Sequence, residues 1–460
     1  MPHHDLLIIG AGSGNSVIGP EHDDWDIAIA EPWLFGGTCM NRGCIPSKML
    51  VHAADLAMAA RHAPALGVHT TFERADWPAI RDRIFGRIDP IAVAGLEYRH
   101  GLDNVTVYGT EARFTGDRSF EIGAHPVTAD RVVLAAGARS VVPDLPGLAD
   151  TPFHTSDSIM RIDDLPDHLV ILGGGFIALE MAHIFHGLGS RVTILYRGDL
   201  LLRRADEDIR RRITDVYADR LDLRLQTEVE RVQHDGAFRF ELSDGSTLEA
   251  DALLVATGRQ PNSDRLDVAA GGVDVDHGGY VTTDEFLHTS AEGVWALGDI
   301  TNPAQLKHTA NAEARVVARN MVAPDDPLPI NRSLTPAAVF CHPQIGSVGP
   351  TEAELLADGR PFLRSVRNYA DTAYGWAMED TTGFVKLLAD PETRLLLGAH
   401  LIGPQAPTLV QQLIQGMAHG LTVDQMALGQ LYIHPAMPEV LEQALLELLG
   451  PKRRDRPCRN

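Results

Sequence analysis

Two strand–glycine–helix openings, one at Asp5 and one at His168, precede a mixed run of strands and helices after residue 330. Together they predict an α/β fold: two Rossmann-like dinucleotide-binding domains, one inserted in the other, plus a C-terminal α+β domain. The glycine clusters begin at Gly10 and Gly173, 163 residues apart, so each can head a sheet of its own. A chain of 460 residues is in any case too long for one compact core.

The elements follow in order. Asp5-Leu6-Leu7-Ile8-Ile9 is an apolar strand; a glycine turn, a short helix and a strand over 26–30 complete a βαβ start. A helix is expected from Pro46 to Arg61. Short strands follow between 105 and 136, such as Thr106-Val107-Tyr108 and Arg131-Val132-Val133-Leu134. The prolines between Val142 and Gly147 predict a boundary near 147. The second βαβ unit runs from His168 to about Ala256, and 293–320 reads as strand, turn and helix. A Pro-rich break spans Pro324 to Pro329, and the remainder places helices near 352–357 and 407–419. The resulting domains are 1–147 with 261–328, then 148–260, then 329–450, with 451–460 as a disordered tail.

Composition excludes several functions. A formal net charge of −22 argues against nucleic acid, which needs a basic face. The basic stretch Lys452-Arg453-Arg454-Asp455-Arg456 reads as a solvated terminus. No apolar run reaches the roughly 18 residues that span a bilayer, so no membrane partner is expected. The N-terminus carries no export signal, which predicts a cytoplasmic protein. Lysine is scarce against arginine, confined to Lys48, Lys307, Lys386 and Lys452; this reads as genome composition bias. Four cysteines (Cys39, Cys44, Cys341 and Cys458) are too few for a secreted disulfide scaffold.

Gly10-Ala11-Gly12-Ser13-Gly14-Asn15 follows a strand. Gly10, Gly12 and Gly14 would let the backbone approach a pyrophosphate at a helix N-terminus. Glu31, 21 residues beyond Gly10, stands where a carboxylate accepts from a ribose 2′-hydroxyl. Asn15 occupies the third motif-glycine position, so packing there must tolerate a side chain. The second cluster is Gly173-Gly174-Gly175-Phe176-Ile177-Ala178, with Gly173, Gly175 and Ala178 as its binding positions. The strand after it ends at Tyr196 without an acid; Arg197 follows, with Arg203 and Arg204 nearby. Guanidinium groups there would meet a 2′-phosphate, which predicts NADPH over NADH.

The sharpest signal is Gly37-Thr38-Cys39-Met40-Asn41-Arg42-Gly43-Cys44-Ile45-Pro46-Ser47-Lys48. Two thiols separated by four residues can reach disulfide distance where a helix begins, and a helix N-terminus favours the thiolate. The bland alternative is a pair of buried thiols. No metal site is expected, because zinc wants four ligands and two are close.

Over nearly its whole length, to about Leu449, the chain resembles the pyridine nucleotide–disulfide oxidoreductases, the family of glutathione reductase and dihydrolipoyl dehydrogenase. The likeness rests on the cysteine motif, on Ala256-Thr257-Gly258-Arg259-Gln260-Pro261-Asn262, on Val294-Trp295-Ala296-Leu297-Gly298-Asp299 and on His434-Pro435-Ala436-Met437-Pro438-Glu439. It implies FAD and a nicotinamide nucleotide as cofactors, a small-molecule disulfide as substrate, and a homodimer built through the C-terminal domain. The same resemblance puts Gly37, Thr38, Gly137, Gly258, Arg259, Gly298 and Asp299 against a cofactor. Cys44 would face the flavin and Cys39 would attack the substrate. His434, oriented by Glu439, would move the proton, reaching the cysteines of a second subunit. Lys48 and Glu180 would pair beside the flavin. Cys341 would pack as a small hydrophobe, and lone Cys458 is not expected to relay electrons. An NAD-linked dihydrolipoyl dehydrogenase and another glutathione-reductase-like enzyme are the alternatives within the family. A non-catalytic flavoprotein binding module is a more remote one.

Overall fold

The computed structural model describes residues 1–450; the basic tail, Cys458 and the expected disordered terminus 451–460 lie outside the described residues. The chain forms two compact units. Residues 1–144, 153–165 and 254–332 make the first, and 145–152, 166–253 and 333 onward make the second.

In the first unit the strand His3–Ile9 is central to a parallel sheet. Ile27–Ala30 and then Val105–Tyr108 lie on one side and His125–Leu134 on the other. Side chains alternate between the two faces. Leu6 and Ile8 join Ile27, Val133 and the helix residues Ala314, Val317 and Met321, whereas Leu7 and Ile9 join Ala28, Val132 and Leu134. Both layers are dry, which is why these strands read as unbroken apolar runs. His125–Leu134 serves two partners besides His3–Ile9. Its first half pairs antiparallel with Ser119–Ile122, and its last three residues pair parallel with Val294–Ala296. That second pairing brings the turn after Ala296 beside the first glycine cluster: Leu297 N–H donates to Leu134 O, while Ala135 N–H donates to Ile9 O.

The helix expected after the first glycine cluster does not form. Only the 3-10 turns Gly14–Ser16 and Pro20–His22 stand there. Val17 and Ile18 are stiff β-branched residues, Gly19 is extended at φ −133°, ψ −179°, and Pro20 has no N–H. The packing glycine is correspondingly Gly14, not position 15: a Cβ on Gly14 would sit 2.7 Å from Ala135 Cβ and 2.9 Å from Ile8 Cγ2. Asn15 is half-buried and held by Arg99, whose Nε donates to Oδ1 at 2.8 Å and whose Nη2 donates to the carbonyl at 3.0 Å. Arg99 belongs to the long helix Trp77–His100, capped by Asp76 through Ala79 N–H. Gly86, Pro90 and Gly95 punctuate that helix and hide it from a pattern reading.

In the second unit His168–Leu172, Arg191–Tyr196 and Asp222–Leu225 lie parallel and adjacent. Three antiparallel strands, Val229–His234, Phe238–Leu242 and Thr247–Ala250, form a separate sheet. The C-terminal part is a five-stranded antiparallel sheet in the order Ala337–Val339, Ile345–Val348, Leu396–Ile402, Phe384–Ala389, Leu363–Asn368. The helices Ala406–Ala418, Val423–Leu428 and Glu439–Leu449 share one apolar core with it. Within this unit Lys386 is buried among three carboxylates. Its Nζ lies 2.8 Å from Asp206, 2.7 Å from Asp208 and 2.6 Å from Glu352. Arg364 joins the last two from outside. No helix among the described residues is long and apolar enough to cross a membrane.

Candidate active site

Cys39 and Cys44 sit on two consecutive helices, Gly37–Arg42 and Cys44–His62, separated by Gly43. A side chain at Gly43 would bring its Cβ within 2.9 Å of Thr38 O, so the break needs glycine. Asn41 steadies the first helix, its Nδ2 donating to Phe35 O at 2.9 Å and Gly37 O at 3.0 Å. Arg42 stacks on Trp33 at 4.9 Å and pairs with Asp157 at 3.6 Å. The two thiols are hydrogen-bonded to each other, and that bond, then burial, pushes the Cys39 thiol well above its ordinary value. Lys307 pulls in the opposite direction. The expectation of a thiol lowered by a helix N-terminus is therefore reversed for Cys39. A helix of six residues has little dipole to offer, and two adjacent sulfurs resist carrying negative charge together, so Cys44 keeps the proton on Cys39.

The first glycine turn lies against this dithiol. Gly36 N–H donates to Ala11 O at 3.1 Å. A Cβ on Gly37 (φ +62°) would meet Gly12 Cα at 2.7 Å, so two backbones touch there. Glu31 is buried and closes the turn: Oε2 accepts from Ala11 N–H at 2.7 Å and Oε1 from Trp33 N–H at 3.0 Å. Burial raises its carboxyl, and these hydrogen bonds oppose the rise. Gly137 and Gly258 have positive φ and open space where a Cβ would stand. Arg259 Nη2 donates to Ala138 O. Asp299 is raised by burial, with Arg259 and Lys307 opposing and Glu313 adding to the rise. Glu313, which the sequence did not single out, is fully buried; it accepts from Gly298 N–H at 2.7 Å and pairs with Arg332 at 2.8 Å. Lys48, one turn into the helix Cys44–His62, donates to Ser47 Oγ at 3.3 Å.

In the second unit Gly173 has φ +131°, and Gly174 lies under the Tyr196 ring, 2.7 Å from where its Cβ would be. Gly175 is open, and Ala178 is buried on the helix Phe176–Leu188. Arg197 and Arg203 are exposed. The nearest acid along the chain, Asp199, is engaged by Arg210 at 3.4 Å. Glu180 is buried and accepts from Phe340 N–H at 3.0 Å. Buried Cys341 donates to Pro343 O at 3.1 Å, in keeping with a packing role.

His434 and Glu439 meet as expected: Nδ1 to Oε1 is 3.2 Å. The imidazole is 69% exposed and the carboxylate 15%, so the ring is aimed outward by an anchored partner. Glu442, one turn further on, also acts on the pair; it is raised by burial and then by Glu439, with His434 opposing. The sequence held no sign of it beyond helical spacing. Leu431 and Ile433, 98% and 73% exposed, flank the histidine with apolar surface.

The profile described as "Pyridine nucleotide-disulphide oxidoreductase" matches residues 4–315, and the dimerisation domain of the same name matches residues 335–445. Mycothione reductase of Mycobacterium tuberculosis is 46% identical over 459 residues, covering 97% of this chain and 100% of that one. Dihydrolipoyl dehydrogenase of Haloferax volcanii is 32% identical over 467 residues, covering 97% and 96%. Among solved structures, the HOCl-induced flavoprotein disulfide reductase RclA of Escherichia coli superposes with a TM-score of 0.84 at 29% identity, covering 96% of this chain and 99% of that one.

Proposed function

The chain belongs to the pyridine nucleotide–disulphide oxidoreductases, FAD-dependent enzymes served by NADH or NADPH; on that premise we propose that it is a homodimeric NADPH-dependent reductase of mycothione, the disulfide of mycothiol, in the cytoplasm. The observation that carries the substrate is the end-to-end 46% identity with the M. tuberculosis mycothione reductase. The stretches Gly12-Ser13-Gly14-Asn15-Ser16, Phe85 to Ile91, Leu306-Lys307-His308 and Tyr374 to Asp380 also resemble that enzyme. NADPH is supported by exposed Arg197 and Arg203 beyond a strand that ends without an acid. In this reading 1–147 with 261–328 carry FAD, 148–260 carry NADPH, and 329–450 form the dimer contact.

The residues fit the flavin nucleotide. A glycine turn closed by Glu31 suits a diphosphate and ribose, open Gly137 and Gly258 leave room for a ligand, and Asp299 supplies a polar group. Bound FAD supplies the relay between a two-electron hydride donor and a disulfide. The chain's own part is thiol chemistry. The Cys39 thiolate attacks one sulfur of the substrate; the substrate S–S bond breaks, a mixed disulfide forms, and the departing thiolate takes a proton from the His434 imidazolium. Cys44 then attacks the Cys39 sulfur, which releases the second thiol and closes the Cys39–Cys44 disulfide. Glu439 holds the imidazole through Nδ1 and leaves Nε2 for the proton. His434 projects from its own chain with apolar flanks, which supports its serving the cysteines of a second copy.

Purified enzyme should turn over mycothione with NADPH at a kcat/KM at least about tenfold above that for glutathione disulfide or lipoamide; a higher value with lipoamide, or equal use of NADH, overturns the reading. His434→Gln should lower disulfide turnover by roughly 100-fold or more. Mixing the His434→Gln and Cys39→Ser chains should restore activity in hybrid dimers, one of whose two sites is then whole. Inactive hybrids would mean that histidine and thiols act within one chain.

A further inference from the structure

The helix Lys307–Val322 begins with a lysine and has no acid in its first turn. A cation at the positive end of a 16-residue helix opposes the helix dipole. Four contacts within the first unit say what this misplaced charge serves. Lys307 Nζ donates to Ser13 Oγ at 2.9 Å, and Ser13 Oγ donates to Asn311 Oδ1, 3.3 Å away on the same helix. Ser13 follows Gly12, whose Cα touches the Gly37 backbone at the head of the Cys39 helix. Gly36 N–H donates to Ala11 O on the same turn. The ammonium is thus pinned to the glycine turn that abuts the dithiol.

We propose that Lys307 is a positioning residue of the redox centre: its ammonium, tied to the glycine turn by Ser13, favours the thiolate of Cys39 over the thiol. The inference rests on the reading of Cys39 as the attacking sulfur. Cys44 and burial hold that sulfur protonated, and the Lys307 charge acts against them. The other charged groups around it are already engaged. Arg42 on the same helix is held by Trp33 and Asp157, and Lys48 on the next helix donates to Ser47. Asp299 is acted on by Arg259 as well as by Lys307. His434 would face the sulfur from a second copy. The lysine offsets by charge part of the rise that Cys44 and burial impose, in a place where the short helix gives little help.

The test is the pH dependence of Cys39 alkylation by iodoacetamide in the reduced holoenzyme, followed by mass spectrometry of the Cys39 peptide. Lys307→Met should move the midpoint up by about one pH unit, roughly tenfold slower alkylation near neutrality, with FAD absorbance per chain unchanged. Lys307→Arg should stay within about threefold of the native rate. A Lys307→Met profile that coincides with the native one, or a Lys307→Arg profile displaced as far as that of the methionine variant, overturns the proposal. If Lys307→Met is recovered without FAD, Ser13→Ala decides. It keeps the charge and removes the anchor, so a smaller upward shift supports the proposal and an unmoved midpoint overturns it. Alkylation reads the sulfur itself. A wrong assignment of Cys39 as attacking thiol would show separately, as turnover surviving in Cys39→Ser.

Discussion

Replacing Cys39 with Ser should lower disulfide turnover by at least about a thousandfold while FAD stays bound. The loss is that large because the two sulfurs act as one unit. The hydroxyl of serine stays protonated in the pH range where a thiol ionises, and it forms no mixed disulfide. Retention of the cofactor follows from the local geometry. The glycine turn, Glu31 and the Gly298–Asp299 turn are held by backbone and carboxylate hydrogen bonds in which the Cys39 sulfur takes no part. Gly43 and Asn41 set the helix break without it as well. The measurement is steady-state NADPH oxidation with the disulfide beside the flavin absorbance per chain. Turnover that survives the substitution would mean that the dithiol does not carry the reaction.

Lys386→Met should destabilise the second unit by about 3–5 kcal/mol, read as a fall in the urea midpoint. The lysine is buried on the strand Phe384–Ala389, and its three carboxylate partners come from two distant segments, Asp206 and Asp208 from one and Glu352 from the other. Methionine fills the volume but leaves Asp208 and Glu352 with Arg364 as their cation, and Asp206 with only the backbone N–H groups of Asp208 and Glu352. Burial by itself would lower Lys386, but the hydrogen bonds to Asp206, Asp208 and Glu352 outweigh it and raise the ammonium. Its contribution is therefore whole below the ordinary lysine value and is lost as pH rises through the raised one. Burial would likewise raise Asp208, but the bonds from Lys386 and Arg364 outweigh it and hold the carboxyl low. That contribution is whole above the ordinary carboxylate value and is lost as pH falls through the depressed one. Neither group therefore makes the native midpoint depend on pH between about pH 5 and 9. In Lys386→Met the unpaired carboxylates prefer to be protonated, so stability should rise as pH drops toward 4.5. An unchanged midpoint, or one that falls on acidification in the variant, is against this account.

The dithiol, the glycine turns and the His434–Glu439 pair were legible because each is local. Cys39 and Cys44 are separated by four residues, and His434 and Glu439 lie five apart, close enough for one turn or one cap to bring them together. The central strands, such as His3–Ile9 and Ile27–Ala30, were legible because they are buried on both faces and read as apolar runs. The misread segment, Gly14 to His22, failed for a physical reason visible in hindsight at Val17, Ile18, Gly19 and Pro20, where stiffness and a missing donor stop a helix that the glycine pattern implies. The helix Trp77–His100 went unseen because its glycines and Pro90 look like punctuation; its tertiary contacts, such as Trp77 Nε1 donating to Ile162 O at 2.8 Å, overrule them.

By itself the sequence determined the family chemistry: a redox cysteine pair, two nucleotide turns and a histidine with its carboxylate, all written within a dozen residues of chain at a time. Only the tertiary structure decided how that chemistry is poised. It put Lys307 on Ser13 across 294 residues of sequence, Lys386 on Asp206 across 180, and Glu313 under the Gly298 turn. The state of Cys39 is set first by its motif partner Cys44 and then by burial, while Lys307, brought from a distant segment, opposes both. Local spacing can position two groups on one turn. The field around them is a sum over everything the fold brings near.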